Sequence, residues 1–433
     1  MRPMQLNRRT FAPFVRALAS LALAASASLP APSAASAGER TVHLFAGGDG
    51  AKPAAPLITD AAGALFGTTV EGGSGSACGG GCGTVFKLTP GPHGFTETLL
   101  HEFAGGADGA APYGGLIADA NGALYGTAAA GGTGCGAGCG VVYKLTPAKG
   151  AYVESIVYAF AGGLDGSAPR FGSLIADASG ALYGTTQYGG GYGCHGTGCG
   201  TVFKLTPHHG GYAESILYRF QGGFDGESPL YGVIADAHAV LYGTTAGGGG
   251  FGCERGAGCG TVFSLTPERG GYRENIIYRF TGGADGAGPN ALTADAAGAL
   301  FGTTVSRGVG RNGTIFKLTA THDGYVENTV FDFAHAPTGS APAGNLLIDA
   351  AGALYGTTLS GGAFANGTVY KLTPSHGVYR ETVLYAFRAG PADGGWPQAG
   401  LVADGKGALY GTVSAGGNAI CGGLGCGAAF EVR

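Results

Sequence analysis

Apolar residues in this chain come in short bursts, each closed by glycine, proline, aspartate or asparagine. Residues 173–223 show the pattern once in full. Leu174–Ala176, Ala181–Thr186, Thr201–Thr206 and Glu214–Phe220 are rich in aromatic, threonine and β-branched residues. All four are too short for independent helices, so each reads as a strand. No segment sustains a helical period of apolar positions.

The same phrase recurs along the chain. Its most regular marker, D-x-x-G/A-x-L-Y/F-G-T, starts at Asp60, Asp119, Asp177, Asp236, Asp295, Asp349 and Asp404, at intervals of 54 to 59 residues. Seven copies with a period in the fifties indicate a repeat architecture. Four strands per copy fit a closed propeller or an open solenoid. The ends of the repeat array separate the two. Gly427–Arg433 matches the third strand of a copy with no fourth after it, while Glu39–Phe45 aligns without gaps on the fourth strand Glu381–Phe387. Pairing the two ends closes a ring and leaves no raw strand edge. An open solenoid would instead want capping repeats, and none is visible. The expected fold is all-β: a seven-bladed β-propeller, four antiparallel strands per blade, closed by residues 39–45. Residues 38–433 are expected to form a single domain.

Composition changes this picture little. The 90 glycines and 20 prolines would suggest low complexity if scattered. They sit at fixed offsets instead, as turn residues do. Residues 1–37 stand apart: arginines at 2, 8, 9 and 16, the apolar run Ala17–Leu29, then Ala35-Ser36-Ala37. This is the layout of a secretory signal peptide. A transmembrane anchor fits poorly, given the length and the alanine and serine content. Arg8-Arg9-Thr10-Phe11 leaves the twin-arginine route open beside the general one. Cleavage after Ala37 removes four of 24 basic residues and none of 28 acidic ones, leaving 20 against 28, a net charge of −8. No basic cluster remains, so nucleic acid and anionic membrane surfaces are not expected partners. No transmembrane segment is expected in the mature chain, which is expected to be monomeric and secreted, periplasmic or extracellular.

The ten cysteines form five local pairs, each between the second and third strands of a copy. Cys78 pairs with Cys82, Cys135 with Cys139, Cys194 with Cys199, Cys253 with Cys259, and Cys421 with Cys426. Copies five and six lack both members and carry Asn312-Gly313 and Asn366-Gly367 instead. Thiols that appear and vanish together in an exported chain are expected to be disulfides. Metal binding is the alternative, but each loop offers two thiols where tetrahedral zinc wants four ligands.

Two acidic positions also repeat. Glu39, Glu97, Glu154, Glu214, Glu274, Glu327 and Glu381 lie six residues before the closing phenylalanine of the fourth strand. The expectation is a solvated or turn-bonding edge residue that discourages strand addition. Asp49, Asp108, Asp165, Asp225, Asp285 and Asp393 occupy a G-G-x-D-G-x-x-P connection between copies, with Thr338 in the sixth. Asp-Gly followed by Pro is a turn signal, with calcium binding as the alternative. No other cofactor is expected.

Strand alternation puts these connections on one face of the ring with the cysteine hairpins. Function on a scaffold gathers in such longer, variable loops. Residues that differ between copies there are Tyr113, Arg170, Phe171, Tyr231, Asn290, Trp396 and Gln398, which should ring the mouth of the central channel. Aromatic, amide and guanidinium groups around a concavity suit a sugar or similar polar ligand with apolar faces. Plugging of the channel is the plainer reading. Tyr188, Tyr192, His195, Phe251, Glu254, Arg255, Arg307, Arg311 and Phe364 form a looser rim. No nucleophile elbow, H-E-x-x-H or phosphate loop is present, and no catalytic residue is assigned.

Leu182–Gly190, Gly200–Pro207 and Leu217–Gly226 spell L-Y-G-T-T-x-x-G-G, G-T-V-F-K-L-T-P and L-Y-x-F-x-G-G-x-D-G. In this the chain resembles the GloVer (Gloeo-Verruco) tandem repeat of exported bacterial proteins, over essentially all of residues 39–433. The resemblance implies an extracellular bacterial protein and does not imply a biochemical role. A looser similarity to kelch blades supports the propeller, although the kelch tryptophan is missing. The expected function is that of a secreted, non-catalytic propeller binding a carbohydrate or a cell-surface partner. A polysaccharide-active hydrolase or lyase and a structural matrix protein remain as alternatives.

Overall fold

The computed structural model describes residues 38–433 except 137, 251, 254–257, 335, 336 and 418–420. The leader assigned to residues 1–37 lies outside the described residues. Seven antiparallel sheets form a ring, six of them built from consecutive strands running outward. Blade 3 consists of Ile175–Ala176, Leu182–Thr186, Thr201–His208 and Gly211–Arg219. In blade 5 the innermost strand is split into Ala287–Pro289 and Thr293–Ala294, giving that sheet five pieces. Blade 7 contains Val402–Ala403, Leu409–Val413 and Ala428–Val432, and its outer strand is the N-terminal Glu39–Leu44. Glu39 pairs with Val432 and His43 with Ala429. The ring is therefore closed by hydrogen bonds between the two ends of the repeat array, as expected.

Blades adhere through one aromatic contact repeated seven times. The phenylalanine closing each outer strand meets the third-strand aromatic of the next blade edge to face, as in Phe160–Phe203 at 5.1 Å and Phe387–Phe430 at 5.0 Å. Phe45–Phe86, also at 5.0 Å, makes the same contact across the closure. Such pairs add about 0.5–1.5 kcal/mol beyond simple burial. The second-strand glycine of the marker is obligatory here: a Cβ on Gly184 would lie 2.6 Å from the Phe203 ring.

Buried threonines tie the second and third strands of a blade. Thr186 and Thr201 share a hydrogen bond of 2.8 Å. Thr69 with Thr84, Thr245 with Thr261, Thr304 with Thr314 and Thr358 with Thr368 repeat it. Blade 2 has Ala128 opposite Val141 and blade 7 has Val413 opposite Ala428. Both hydroxyls are lost together, which avoids leaving one buried and unpaired.

All five cysteine pairs are disulfides, with Cα–Cα separations of 5.0–5.8 Å. Cys78 is bonded to Cys82, Cys135 to Cys139, Cys194 to Cys199, Cys253 to Cys259, and Cys421 to Cys426, as expected from their spacing. The second member of each pair leads into the third strand. Cys82, Cys199, Cys259 and Cys426 are buried there, and Cys139 is half-buried. A sulfur held in a disulfide supplies no thiolate to a metal ion, and no free cysteine is present among the described residues. Where blades 5 and 6 lack the link, Asn312 donates to the Gly310 carbonyl at 2.8 Å and Asn366 to that of Phe364 at 2.9 Å. Gly313 and Gly367 keep the positive φ, 92° and 94°, that Gly200 has at 98° after Cys199. A side-chain hydrogen bond thus replaces the covalent link while the turn glycine is retained.

Candidate functional site: the central channel and the seams around it

The inter-blade aspartates are turn caps. Asp165 accepts the Ala161 N–H at 2.5 Å with one carboxylate oxygen and the Tyr158 hydroxyl at 3.0 Å with the other. Asp225 holds Gln221 and Tyr218, and Asp393 holds Arg388 and Tyr385, in the same way, while Asp285 accepts the Thr281 N–H and the Tyr278 hydroxyl on one oxygen and the Thr281 hydroxyl on the other. Histidine takes the tyrosine's place at two seams: His43 beside Asp49 and His101 beside Asp108, each at 3.1 Å. In the sixth connection Phe331 has no hydroxyl to offer, and Thr338 stands where the aspartate would be. With both oxygens taken by backbone and hydroxyl donors, Asp165, Asp225, Asp285 and Asp393 are poorly placed to serve as calcium ligands.

At the ring centre lies a cavity of about 330 Å³, lined by the innermost strands and the residues leading into them. Of the sequence candidates, Phe171, Tyr231 and Gln398 line it. Tyr113 packs against Phe171 at 5.0 Å between ring centroids, and Phe171 lies 6.0 Å from Tyr231. The Arg170 guanidinium covers the Tyr113 ring at 5.3 Å, and its Nε is shielded from solvent without a hydrogen-bond partner. Gln398 donates to the Ser414 hydroxyl at 2.8 Å, and that hydroxyl donates to the Trp396 carbonyl at 3.0 Å.

Asn290 and Trp396 are placed differently. Asn290 is buried, and its amide donates to Thr303 and to the Pro342 carbonyl, both at 2.8 Å, so it joins blades 5 and 6. Trp396 is half-buried at a backbone φ of 60°, outside the cavity lining. Ser173 and Asn345, not singled out from sequence, do line the cavity. Asn345 follows a glycine rather than the aromatic-rich stretch of other copies, so the variable-position rule passes over it. The described lining holds no carboxylate, histidine or cysteine, and burial pushes the Tyr231 hydroxyl up to about 12. Of the looser rim, Tyr188, Tyr192, His195, Arg307, Arg311 and Phe364 lie in second-to-third-strand loops away from this lining. Phe251, Glu254 and Arg255 lie outside the described residues.

The repeated glutamates are not solvated edge residues. Alternation along Gly211–Arg219 puts Tyr212, Glu214 and Ile216 on the half-buried face, with Ala213 and Ser215 outside. Glu214 therefore points into the seam with blade 2. Burial, then the Asp165 charge, lifts its carboxyl to about 7. Glu39, Glu154 and Glu274 are likewise lifted to about 7 by burial and then by Asp393, Asp108 and Asp225. Glu381, opposite the connection that has lost its aspartate, is lifted to about 7 by burial alone. One oxygen of Glu97, Glu154, Glu214, Glu274 and Glu381 is shielded from solvent and has no hydrogen-bond partner. The signal was in the sequence: Y-x-E-x-I has a period of two and puts the glutamate with the apolar residues. Two carboxyl groups in unlike environments can work as an acid–base pair. Here the arrangement recurs around the ring and outside the cavity, so it belongs to blade packing.

Among the described residues no helix is long and apolar enough to cross a membrane. Comparison with curated protein sequences gives no match. Among solved structures, the periplasmic gluconolactonase of Pseudomonas aeruginosa is similar at 14% identity with a TM-score of 0.50, covering 85% of this chain and 98% of that one. The extracellular domain of a one-component system from B. thetaiotaomicron is similar at 10% identity with a TM-score of 0.56, covering 90% of this chain and 39% of that one. At such identities the likeness shows the fold. The sequence model of the Gloeobacter/Verrucomicrobia repeat matches residues 32–197 and 193–424. The repeated phrase, the seven matching blades and this match agree: the chain belongs to the Gloeobacter/Verrucomicrobia repeat family.

Proposed function

We propose that this protein is a secreted, non-catalytic β-propeller that binds a neutral carbohydrate, free or on a cell surface, at the mouth of its central channel. In this reading residues 1–37 are a signal peptide and residues 38–433 one monomeric domain. The five disulfides fit an oxidising compartment.

The observation that carries the reading is the make-up of the cavity. Its volume of about 330 Å³ lies at the small end of ligand cavities. Phe171 and Tyr231 offer ring faces, and Ser173, Asn345 and Gln398 offer neutral donors and acceptors. That combination suits a sugar ring, with its apolar face and its rim of hydroxyls. Arg170, with a shielded Nε lacking a partner, supplies a further donor above Tyr113.

An enzyme acting on polysaccharide or on a sugar lactone is the second reading, invited by the fold shared with a gluconolactonase. It needs a general acid or base, and the described lining offers none at neutral pH. Thermal-shift and calorimetric titration of the mature protein with neutral mono- and oligosaccharides tests both. A saturable shift that Phe171→Ala or Gln398→Ala abolishes, with no sugar turned over, is expected. Turnover of polysaccharide or lactone by the unaltered protein would overturn the binding role in favour of catalysis.

A further inference from the structure

We propose that His43, Asp49 and Glu97 form a binding site for a borderline divalent cation such as Zn2+ or Co2+, which fastens the ring-closing strand to blade 1. The ligand atoms of these three side chains all lie within 4.8 Å of one another, and among the described residues no other three histidine, cysteine or carboxylate groups meet so closely. They come from three elements. His43 is on the N-terminal strand that completes blade 7, Asp49 caps the connection into blade 1, and Glu97 is on the outer strand of blade 1.

The contacts already made bring the ligand atoms together, and a bound ion would take the place of the hydrogen bond between His43 and Asp49. Asp49 uses one oxygen for the Ala46 N–H at 2.6 Å and turns the other toward His43 Nε2 at 3.1 Å. Donors bound at about 2.0–2.2 Å to one ion stand about 3 Å apart, so this pair already has the spacing of two ligands on one metal. Glu97 Oε1 is shielded from solvent and has no hydrogen-bond partner, and a Glu97 carboxylate oxygen lies within 4.8 Å of both other ligand atoms. The side chains of His43 and Asp49 keep 18% and 23% of their exposure, which admits the ion and leaves room for water to complete its shell.

Comparison around the ring sharpens the assignment. Four seams place tyrosine where His43 stands, and a neutral phenol bound to aspartate is a poor metal ligand. The seam of His101 and Asp108 repeats the first contact, but no third described ligand there meets the other two as closely. One imidazole nitrogen with two carboxylates selects borderline transition ions over calcium and magnesium, which prefer oxygen donors alone.

The test uses tag-free mature protein, stripped with EDTA, exchanged into metal-free buffer at pH 7.5 and titrated with Co2+ or Zn2+ by calorimetry and thermal shift. One equivalent should bind and raise the melting temperature. His43→Tyr installs the residue four other seams already use, so the metal-free variant should melt as the parent does while its affinity falls by about 100-fold or more. Glu97→Gln, which keeps the shape of the side chain, should also weaken binding, and His101→Tyr should leave it unchanged. Absence of binding at about 100 μM metal, binding unaffected by His43→Tyr, or a larger response to Ca2+ than to Zn2+ would each overturn the assignment.

Discussion

Replacing a seam glutamate by glutamine should stabilise the protein at pH 8 and have a much smaller effect at pH 5. Glu214 illustrates the reasoning. Its carboxyl, ordinarily at 4.5, is lifted to about 7 in the native protein, chiefly by burial, then by Asp165, against a lowering from Arg219. The Tyr158 hydroxyl, bound to the same aspartate, also feels the Glu214 charge. Between 4.5 and 7 the native state holds the proton that the unfolded chain has lost, so stability falls as pH rises through that window. Below it both states are protonated and the effect vanishes; above it the penalty is complete. The full shift would be worth about 3 kcal/mol in a site closed to solvent, and partial exposure reduces this to about 1 kcal/mol. With an unfolding entropy of about 2.1 cal/mol/K per residue, 1 kcal/mol moves the melting temperature of a chain this long by about 1 °C. The combined variant Glu214→Gln/Glu274→Gln/Glu381→Gln joins three separate seams whose effects should add, giving about 3 °C at pH 8. Scanning calorimetry in EDTA at pH 5 and pH 8 reads both values. An equal loss of melting temperature at the two pH values would refute the reasoning, because it would mean that the carboxylates stabilise the seams as ions.

Three further outcomes are expected. Thr186→Val leaves the buried Thr201 hydroxyl short of a partner and should cost about 1–3 kcal/mol in urea denaturation, whereas Thr186→Val/Thr201→Val should cost less than the single change, as the apolar pairs of blades 2 and 7 suggest. Cys194→Ala/Cys199→Ala opens a small loop and should lower stability by about 2 kcal/mol or less in the same assay, and intact-mass analysis of the unreduced parent should find no free thiol. Deleting residues 39–45 bares the edge of Ala428–Val432 and removes the Phe45–Phe86 contact, so light scattering should show association rather than a stable monomer.

What the sequence determined by itself was whatever repeats or alternates within one blade. The seven markers fixed the number of blades, and short β-rich bursts between turn residues fixed four strands in each. The match between Glu39–Phe45 and Glu381–Phe387 fixed the closure. Cysteines four to six residues apart, from Cys78 and Cys82 to Cys421 and Cys426, announced their own pairing, because so short a loop brings the thiols together whatever the fold. Relations between blades were a different matter. Glu214 meets Asp165, and His43 meets Glu97, only because each blade is rotated against its neighbour so that the outer strand of one covers the connection of the other. No local spacing encodes that rotation. The same holds at the channel, where neighbouring blades draw Phe171, Tyr231, Asn345 and Gln398 into one cavity yet turn Asn290 away into a blade-to-blade hydrogen bond. Variation between copies marked the inner ends of the blades as the place to look. Which side chains face the cavity was decided by the packing of blade on blade, which places residues some 50 to 60 positions apart in contact.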